Sequence, residues 1–162
     1  MKLNLGCGND KKQGYINIDV RKEVNPDLVI NLEKELLSRF DDETIDEIIA
    51  KDFLEHLPFR RVEAFLKDCY RVLKKGGRIY IQTPDLEAIA KKVIFNPNFK
   101  LGGLEGWKAI SYWVYGGQEY SENYHKSGFT IPTMRKLLEE IGFKIEKIEN
   151  DGGTNLCCWA IK

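Results

Sequence analysis

The stretch Leu3–Asp19, LNLGCGNDKKQGYINID, decides how the rest of the chain is read. Leu3 to Leu5 has the chemistry of a strand, Gly6-Cys7-Gly8 that of a glycine turn, and Tyr15–Ile18 is a second strand-like run closed by Asp19. This is the order of features at a nucleotide site on the carboxyl edge of a doubly wound sheet. Glycine lets a ligand approach the main chain because no Cβ intervenes, and the carboxylate of Asp19 offers acceptors to a ribose diol. Only nine residues, Gly6 to Gly14, join the two runs, whereas a parallel crossover takes about a dozen or more. Nine extended residues reach at most about 30 Å. Returning along a four-residue strand needs roughly 13 Å, and the step to its neighbour about 5 Å. An irregular loop therefore suffices for a parallel pair. An antiparallel hairpin is the competing arrangement, and it turns Asp19 away from Gly8.

A dinucleotide fingerprint requires Gly-x-Gly-x-x-Gly and an acid about 20 residues on. Here Lys11 stands at the third glycine position and Asp19 comes sooner. Without that glycine and a helix N-terminus, a pyrophosphate loses its main cradle. A phosphate-free adenosine ligand fits better, and S-adenosylmethionine is one. A nicotinamide-dependent oxidoreductase is the less favoured alternative.

The 162 residues suit one domain with a real core. Twenty-five acids balance 25 bases, so the basic surplus of a nucleic-acid groove is missing and such a partner is not expected. No apolar run reaches the roughly 18 residues of a membrane span, and MKLNLGCGND carries no leader-like apolar region. A cytoplasmic location without membrane insertion is the expectation. Cys7, Cys69, Cys157 and Cys158 show no disulfide spacing, and with only His56 and His125 there is no zinc pattern. Four reduced thiols and no metal are expected.

Short apolar runs alternate with helical periods, the mark of βαβ units. Strands are predicted at Lys2–Leu5, Tyr15–Ile18, Leu28–Asn31, Ile45–Ala50, Arg78–Gln82, Phe143–Glu149 and Asn155–Ile161. One helix follows Pro58, with Val62, Phe65, Leu66, Cys69 and Leu73 inward and the KKGG of Lys74–Gly77 as its stop. A second is expected from Pro84 to Ile94 with Thr83 as cap and Leu86, Ile89, Ala90 and Val93 on one face. A third is expected over Ile131–Ile141, capped by Thr130 and stopped by Gly142. ENDGGTN leaves room only for a hairpin between the last two strands, so an antiparallel pair closes an otherwise parallel sheet. No internal repeat is present.

Residues 95–129 read differently: they hold nine of the chain's eighteen aromatics. Leu104, Trp107, Ile110 and Val114 have helical spacing within this segment. It is either a lid or substrate insertion over a site or a satellite core under a long loop.

Across most of its length the sequence resembles the class I S-adenosylmethionine-dependent methyltransferases, in their small abbreviated branch (type 11-like). The resemblance is carried by LNLGCG, GYINID, LVINLEKELLSRFDDETIDEIIAKDFLEHLP, CYRVLKKGGRIYIQTPD and HKSGFTIPTMRKLLEEIGF. It implies one domain over 1–162 and a Rossmann-like α/β sheet of seven strands in the order 3-2-1-4-5-7-6. By position it implies that Gly6, Cys7 and Gly8 lie under the methionine and ribose. Asp19 would hold the ribose hydroxyls and Val20 would lie beside the adenine. Asn31 and Leu32 would sit at the adenine edge and Asp52 at the methyl end. The sequence departs from the family at Asn9-Asp10, in place of the third glycine, and at Asn4 and Asn31, where acids are usual. The acceptor implied is a small molecule, a saccharide or nucleotide-sugar of cell-surface glycan synthesis. A non-catalytic module binding S-adenosylmethionine stays open as an alternative. If the acceptor needs a base, His125, His56 and Asp52 are the candidates, whereas Glu55 is expected to hydrogen-bond the glycine turn.

Overall fold

In the computed structural model, which describes residues 1–96 and 98–162, β1 (Lys2–Leu5) and β2 (Ile16–Asp19) run parallel. Leu3 lies opposite Ile16 and Leu5 opposite Ile18. The short connection is thus a crossover and not a hairpin turn, and Gly6–Gly14 contains no helix. Side-chain hydrogen bonds replace the missing helix. Asn17 Oδ1 accepts from the Lys12 amide at 2.8 Å and from Asn4 Nδ2 at 3.0 Å. Asn17 Nδ2 donates to the Lys12 and Tyr15 carbonyls, each at 3.2 Å, and to Asp27 Oδ2 at 2.8 Å. Asn4 Nδ2 also donates to the Asp10 carbonyl. The amide at position 4, where the family usually has an acid, therefore braces the loop. Asn17→Ala orphans several groups of this buried cluster, each worth about 1–3 kcal/mol when left unpaired. Most of the freed groups are only part-buried and take up water, so a total loss of about 1–3 kcal/mol in urea denaturation, with an unchanged m-value, is the expected outcome.

The sheet continues through β3 (Leu28–Val29), β4 (Ile45–Lys51), β5 (Leu73–Pro84), β6 (Lys144–Asn150) and β7 (Asn155–Ile161). Its order is 3-2-1-4-5-7-6, with β7 antiparallel to both β5 and β6. Leu3, Leu5, Ile18, Ile48, Ile79 and Ile81 are fully buried on one face. The helices packed there are α1 (Leu32–Glu35), α2 (Phe59–Val72) and α5 (Ile131–Ile141). Phe65, Leu66 and Cys69 of α2 are wholly inaccessible, and so are Met134 and Leu138 of α5. α5 keeps its expected limits: Thr130 and Thr133 form a reciprocal capping box, and Gly142 takes the left-handed cap.

Several boundaries differ from expectation: β2 starts at Ile16, β3 ends at Val29 so that Asn31 caps α1 and does not extend the strand, and three larger shifts follow. α2 ends at Val72, and Leu73 already pairs with Ile45. Lys74–Gly77 is a bulge inside β5, between the Ile45–Leu73 and Glu47–Arg78 pairs, with Gly76 at φ +77° and its amide on the Lys162 carbonyl. Its glycines turn a strand rather than end a helix. α3 (Leu86–Phe95) begins later than expected, because Asp85 caps it through Oδ1 on the Glu87 amide while Thr83 and Pro84 remain in β5. Of the expected apolar face, Ile89 is buried and Ala90 is exposed.

Among the described residues of the 95–129 segment, Phe95 ends α3, and beyond it lie a two-stranded ribbon (Lys100–Leu101 with Leu104–Glu105), α4 (Trp107–Tyr115) and a 3-10 turn over Ser121–Asn123. Leu104 belongs to the ribbon and not to the helix. Phe99 is buried and stacks on Trp113 at 4.9 Å. The segment is tied to the loop after β4, where the Lys126 and Ser127 amides donate to the Glu55 carbonyl and Ser127 Oγ to the Leu54 carbonyl. No helix among the described residues is long and apolar enough to cross a membrane.

Candidate functional site

At the carboxyl ends of β1, β2 and β4 lies a cleft of about 260 Å³, lined among others by Gly6, Asp19, Val20, Asn31, Leu32, Asp52 and His56. Asp19 ends β2 and is only 6% exposed. Its Oδ2 accepts from the Gly8 amide at 2.8 Å, and its Oδ1 from the Arg21 amide at 2.9 Å. The carboxylate faces the glycine turn, as the parallel arrangement requires. Each oxygen keeps a further lone pair for a hydroxyl. The Arg21 guanidinium lies 3.5 Å from Asp19 and 4.4 Å from the centre of the Tyr120 ring, so the aromatic segment reaches the same rim.

Gly6 stands at φ +61°, and a Cβ there would come within 2.4 Å of Phe53 Cδ2. The glycine is thus needed both for its backbone conformation and for the ring that follows β4. Gly8 does not line the cleft; its amide holds Asp19 in place. Cys7 is buried behind the turn, and burial together with the nearby Asp19 holds its thiol above the ordinary value. It is a packing residue, as are buried Cys69 and Cys158, and all four cysteines are free. Asn31 lines the cleft, but its Oδ1 accepts from the Glu33 and Lys34 amides at 3.1 and 3.3 Å. The amide is committed to capping α1, and an adenine edge here has Asn31 main chain and the Leu32 side chain beside it. Asp52 sits at φ +50°, and its Oδ1 accepts from Gln82 Nε2 at 3.0 Å.

The loop after β4 carries Leu54–His56 in a 3-10 turn. His56 Nδ1 lies 3.1 Å from the Tyr124 carbonyl, and His125 Nδ1 lies 2.9 Å from the Trp113 carbonyl. A carbonyl only accepts, so both Nδ1 atoms carry the proton and each Nε2 keeps a lone pair. The two rings meet edge to face at 5.1 Å. Burial lowers the proton affinity of both imidazoles. Glu55, expected on the glycine turn, is instead 2% exposed and lines a second pocket with Thr83, Trp113, Tyr115 and His125. The side chain that packs against the glycine turn at Gly6 is Phe53. Burial, reinforced by the charge of Asp52, pushes the Glu55 carboxyl up to about 8. Its Oε2 has no hydrogen-bond partner among the described residues. Sequence spacing carries no hint that Glu55, His56 and His125 converge, because His125 arrives from a segment that no periodicity places.

The fit to a phosphate-free adenosine rests on two observations: Gly6–Gly14 presents no helix N-terminus to a pyrophosphate, and Asp19 faces the cleft with free lone pairs. Residues 3–81 match the family model described as a methyltransferase domain. No curated protein matches the chain. Among solved structures, the chain is similar to an S-adenosylmethionine-dependent methyltransferase of Archaeoglobus fulgidus. That likeness has 19% identity and a TM-score of 0.67, covering 99% of this chain and 85% of the other. A Methanosarcina mazei S-adenosylmethionine-dependent methyltransferase is similar at 19% identity and TM-score 0.64, with 99% and 91% covered. The 1,6-didemethyltoxoflavin-N1-methyltransferase of Burkholderia thailandensis, solved with 1,6-didemethyltoxoflavin and S-adenosylhomocysteine, is similar at 15% and 0.62, with 99% and 70% covered.

Proposed function

We propose that this chain is a class I S-adenosylmethionine-dependent methyltransferase, a reading supported by the match of residues 3–81 to a methyltransferase-domain model, and that it methylates a hydroxyl of a small saccharide or nucleotide-sugar used in cell-surface glycan synthesis. The observation that carries the reading is the single rim on which Asp19, Asp52 and His56 line one cleft while His125 lines the pocket next to it. When bound, S-adenosylmethionine would supply a methyl on a sulfonium, the C–S pair going to sulfur as the acceptor lone pair bonds carbon, and the acceptor proton would have to leave to a residue of this chain. Asp19 grips the ribose diol, while Val20 and Leu32 flank the adenine. Gly6 brings the main chain close to the ribose and methionine, and Cys7 and Gly8 hold that turn from behind. Asp52 takes the acceptor proton, and the Nε2 lone pairs of His56 and His125 accept from neighbouring hydroxyls of the acceptor, which orients it. Trp113 and Tyr115 give the second pocket an aromatic wall on which a sugar ring stacks. Residues 95–129 act as the lid or substrate insertion, closing over the site through Tyr120 and Lys126.

Calorimetry with S-adenosylmethionine and, separately, NAD tests the cofactor arm; binding of NAD instead of the first would sink the reading. Transfer of radiolabelled methyl to a panel of free sugars and nucleotide-sugars tests the acceptor arm. On the substrate so found, His56→Ala should lower kcat about tenfold, the worth of one oriented hydrogen bond. Its S-adenosylmethionine affinity should stay within about threefold, because Asp19 and the turn are untouched. Cofactor binding with no turnover on any acceptor would favour the non-catalytic module.

A further inference from the structure

Glu55, His56 and His125 each present one ligand atom, and these atoms lie within 4.8 Å of one another. Two independent features prepare them for a cation. Each histidine Nδ1 is held by a main-chain carbonyl, which fixes the neutral tautomer and leaves Nε2 as the donor atom, the outer-shell arrangement of metal-bound imidazoles. Glu55, almost wholly buried, has a carboxyl oxygen that, like the Thr83 hydroxyl close to it, makes no well-formed hydrogen bond among the described residues. A buried polar group without a partner is unfavourable, and a cation that displaces the carboxyl proton would satisfy it. The competing cations are already engaged. Lys126 is paired with Glu33 at 2.8 Å, and Arg21 with Asp19. The negative charge of Asp52 bears on both histidines, and the positive charges of Lys126 and Arg21 still act on His56.

We propose that Glu55, His56 and His125 bind a divalent first-row transition-metal cation between the cofactor cleft and the second pocket, its open coordination positions facing the acceptor oxygen. Two imidazoles and one carboxylate suit zinc, manganese, iron(II) or cobalt(II), and three protein ligands leave room for a substrate atom. Tetrahedral bonds of about 2.1 Å place ligand atoms roughly 3.4 Å apart, so the three side chains close in as the cation enters. Because His125 belongs to residues 95–129 and Glu55 to the loop after β4, the cation ties the aromatic segment to the sheet edge. The ligand class selected is a sugar hydroxyl or vicinal diol. This deepens the methyltransferase reading and rests on it, with Asp52 left outside the ligand set as proton acceptor.

Titration of the chelator-treated protein with cobalt(II) provides the test. The expected result is a visible d–d absorption saturating at one equivalent, reversed by zinc. Glu55→Gln and His125→Ala should each weaken cobalt affinity at least about tenfold. Thermal melting of each variant confirms that it is folded, and His56→Ala supplies a third ligand deletion should either fail to fold. No absorption, or absorption equal in wild type and in the folded variants, overturns the proposal. Calorimetry with S-adenosylmethionine on the same samples keeps the two readings apart: cofactor bound without cobalt rejects only the cation.

Discussion

Asp19→Ala should weaken S-adenosylmethionine binding at least about a hundredfold, the equivalent of some 2.7 kcal/mol or more. Hydrogen bonds to a charged group are worth about 1.5–3 kcal/mol each, and a ribose diol makes two with this carboxylate. The substitution also strips the Gly8 amide of its acceptor at 2.8 Å and frees Arg21, so the turn loses its anchor together with the ligand's. Asp19→Asn separates these contributions. It keeps the shape and one acceptor oxygen but lacks the charge, and about a tenfold loss is expected. Calorimetry measures both. An Asp19→Ala protein that is folded and binds within threefold of wild type would mean that the adenosine is gripped elsewhere.

Gly6→Ala should destabilise the fold by about 2–5 kcal/mol. A side chain in the left-handed region costs about 1–2 kcal/mol, and forcing a methyl against packed atoms costs about 1–3 kcal/mol. Both apply here, since φ is +61° and the new methyl would meet Phe53 Cδ2 at 2.4 Å. The partner ring allows the two costs to be separated. In a Gly6→Ala/Phe53→Ala double-mutant cycle the steric part vanishes, leaving a favourable coupling of about 1–3 kcal/mol. Additive effects in urea denaturation would show that the ring moves aside without cost. The cofactor affinity of Gly6→Ala should fall as well, because Gly6 lines the cleft directly beside Asp19's strand.

Of the predictions placed earlier, Asn17→Ala bears most directly on legibility. Reach and pattern at Gly6–Gly14 made a parallel crossover feasible without distinguishing it from a hairpin. The distinction comes from the hydrogen bonds of Asn17 with Asn4, Lys12 and Asp27, which stand in for a crossover helix. Period-based reading placed α5 to the residue, since capping chemistry and apolar spacing agree there. It overran α2 because Lys74–Gly77 has the composition of a helix stop while serving as a bulge against Ile45 and Glu47. Glycine pairs do both jobs, and only the neighbouring strand separates them.

By itself the sequence determined what depends on near neighbours: the glycine turn, the acid at the end of β2 and the amphipathic faces of α2 and α5, while the strand order was implied only by the resemblance. Tertiary structure alone decided which side chains were free to act. It spent the Asn31 amide on a helix cap and put Phe53 against Gly6. It left Glu55 buried with an unpaired oxygen, and it carried His125 across from the aromatic segment to meet His56 at 5.1 Å. The physical reason is range. Turns, caps and periodicity are set within a few residues along the chain, whereas the availability of a lone pair depends on every group packed around it, and those groups come from distant parts of the chain.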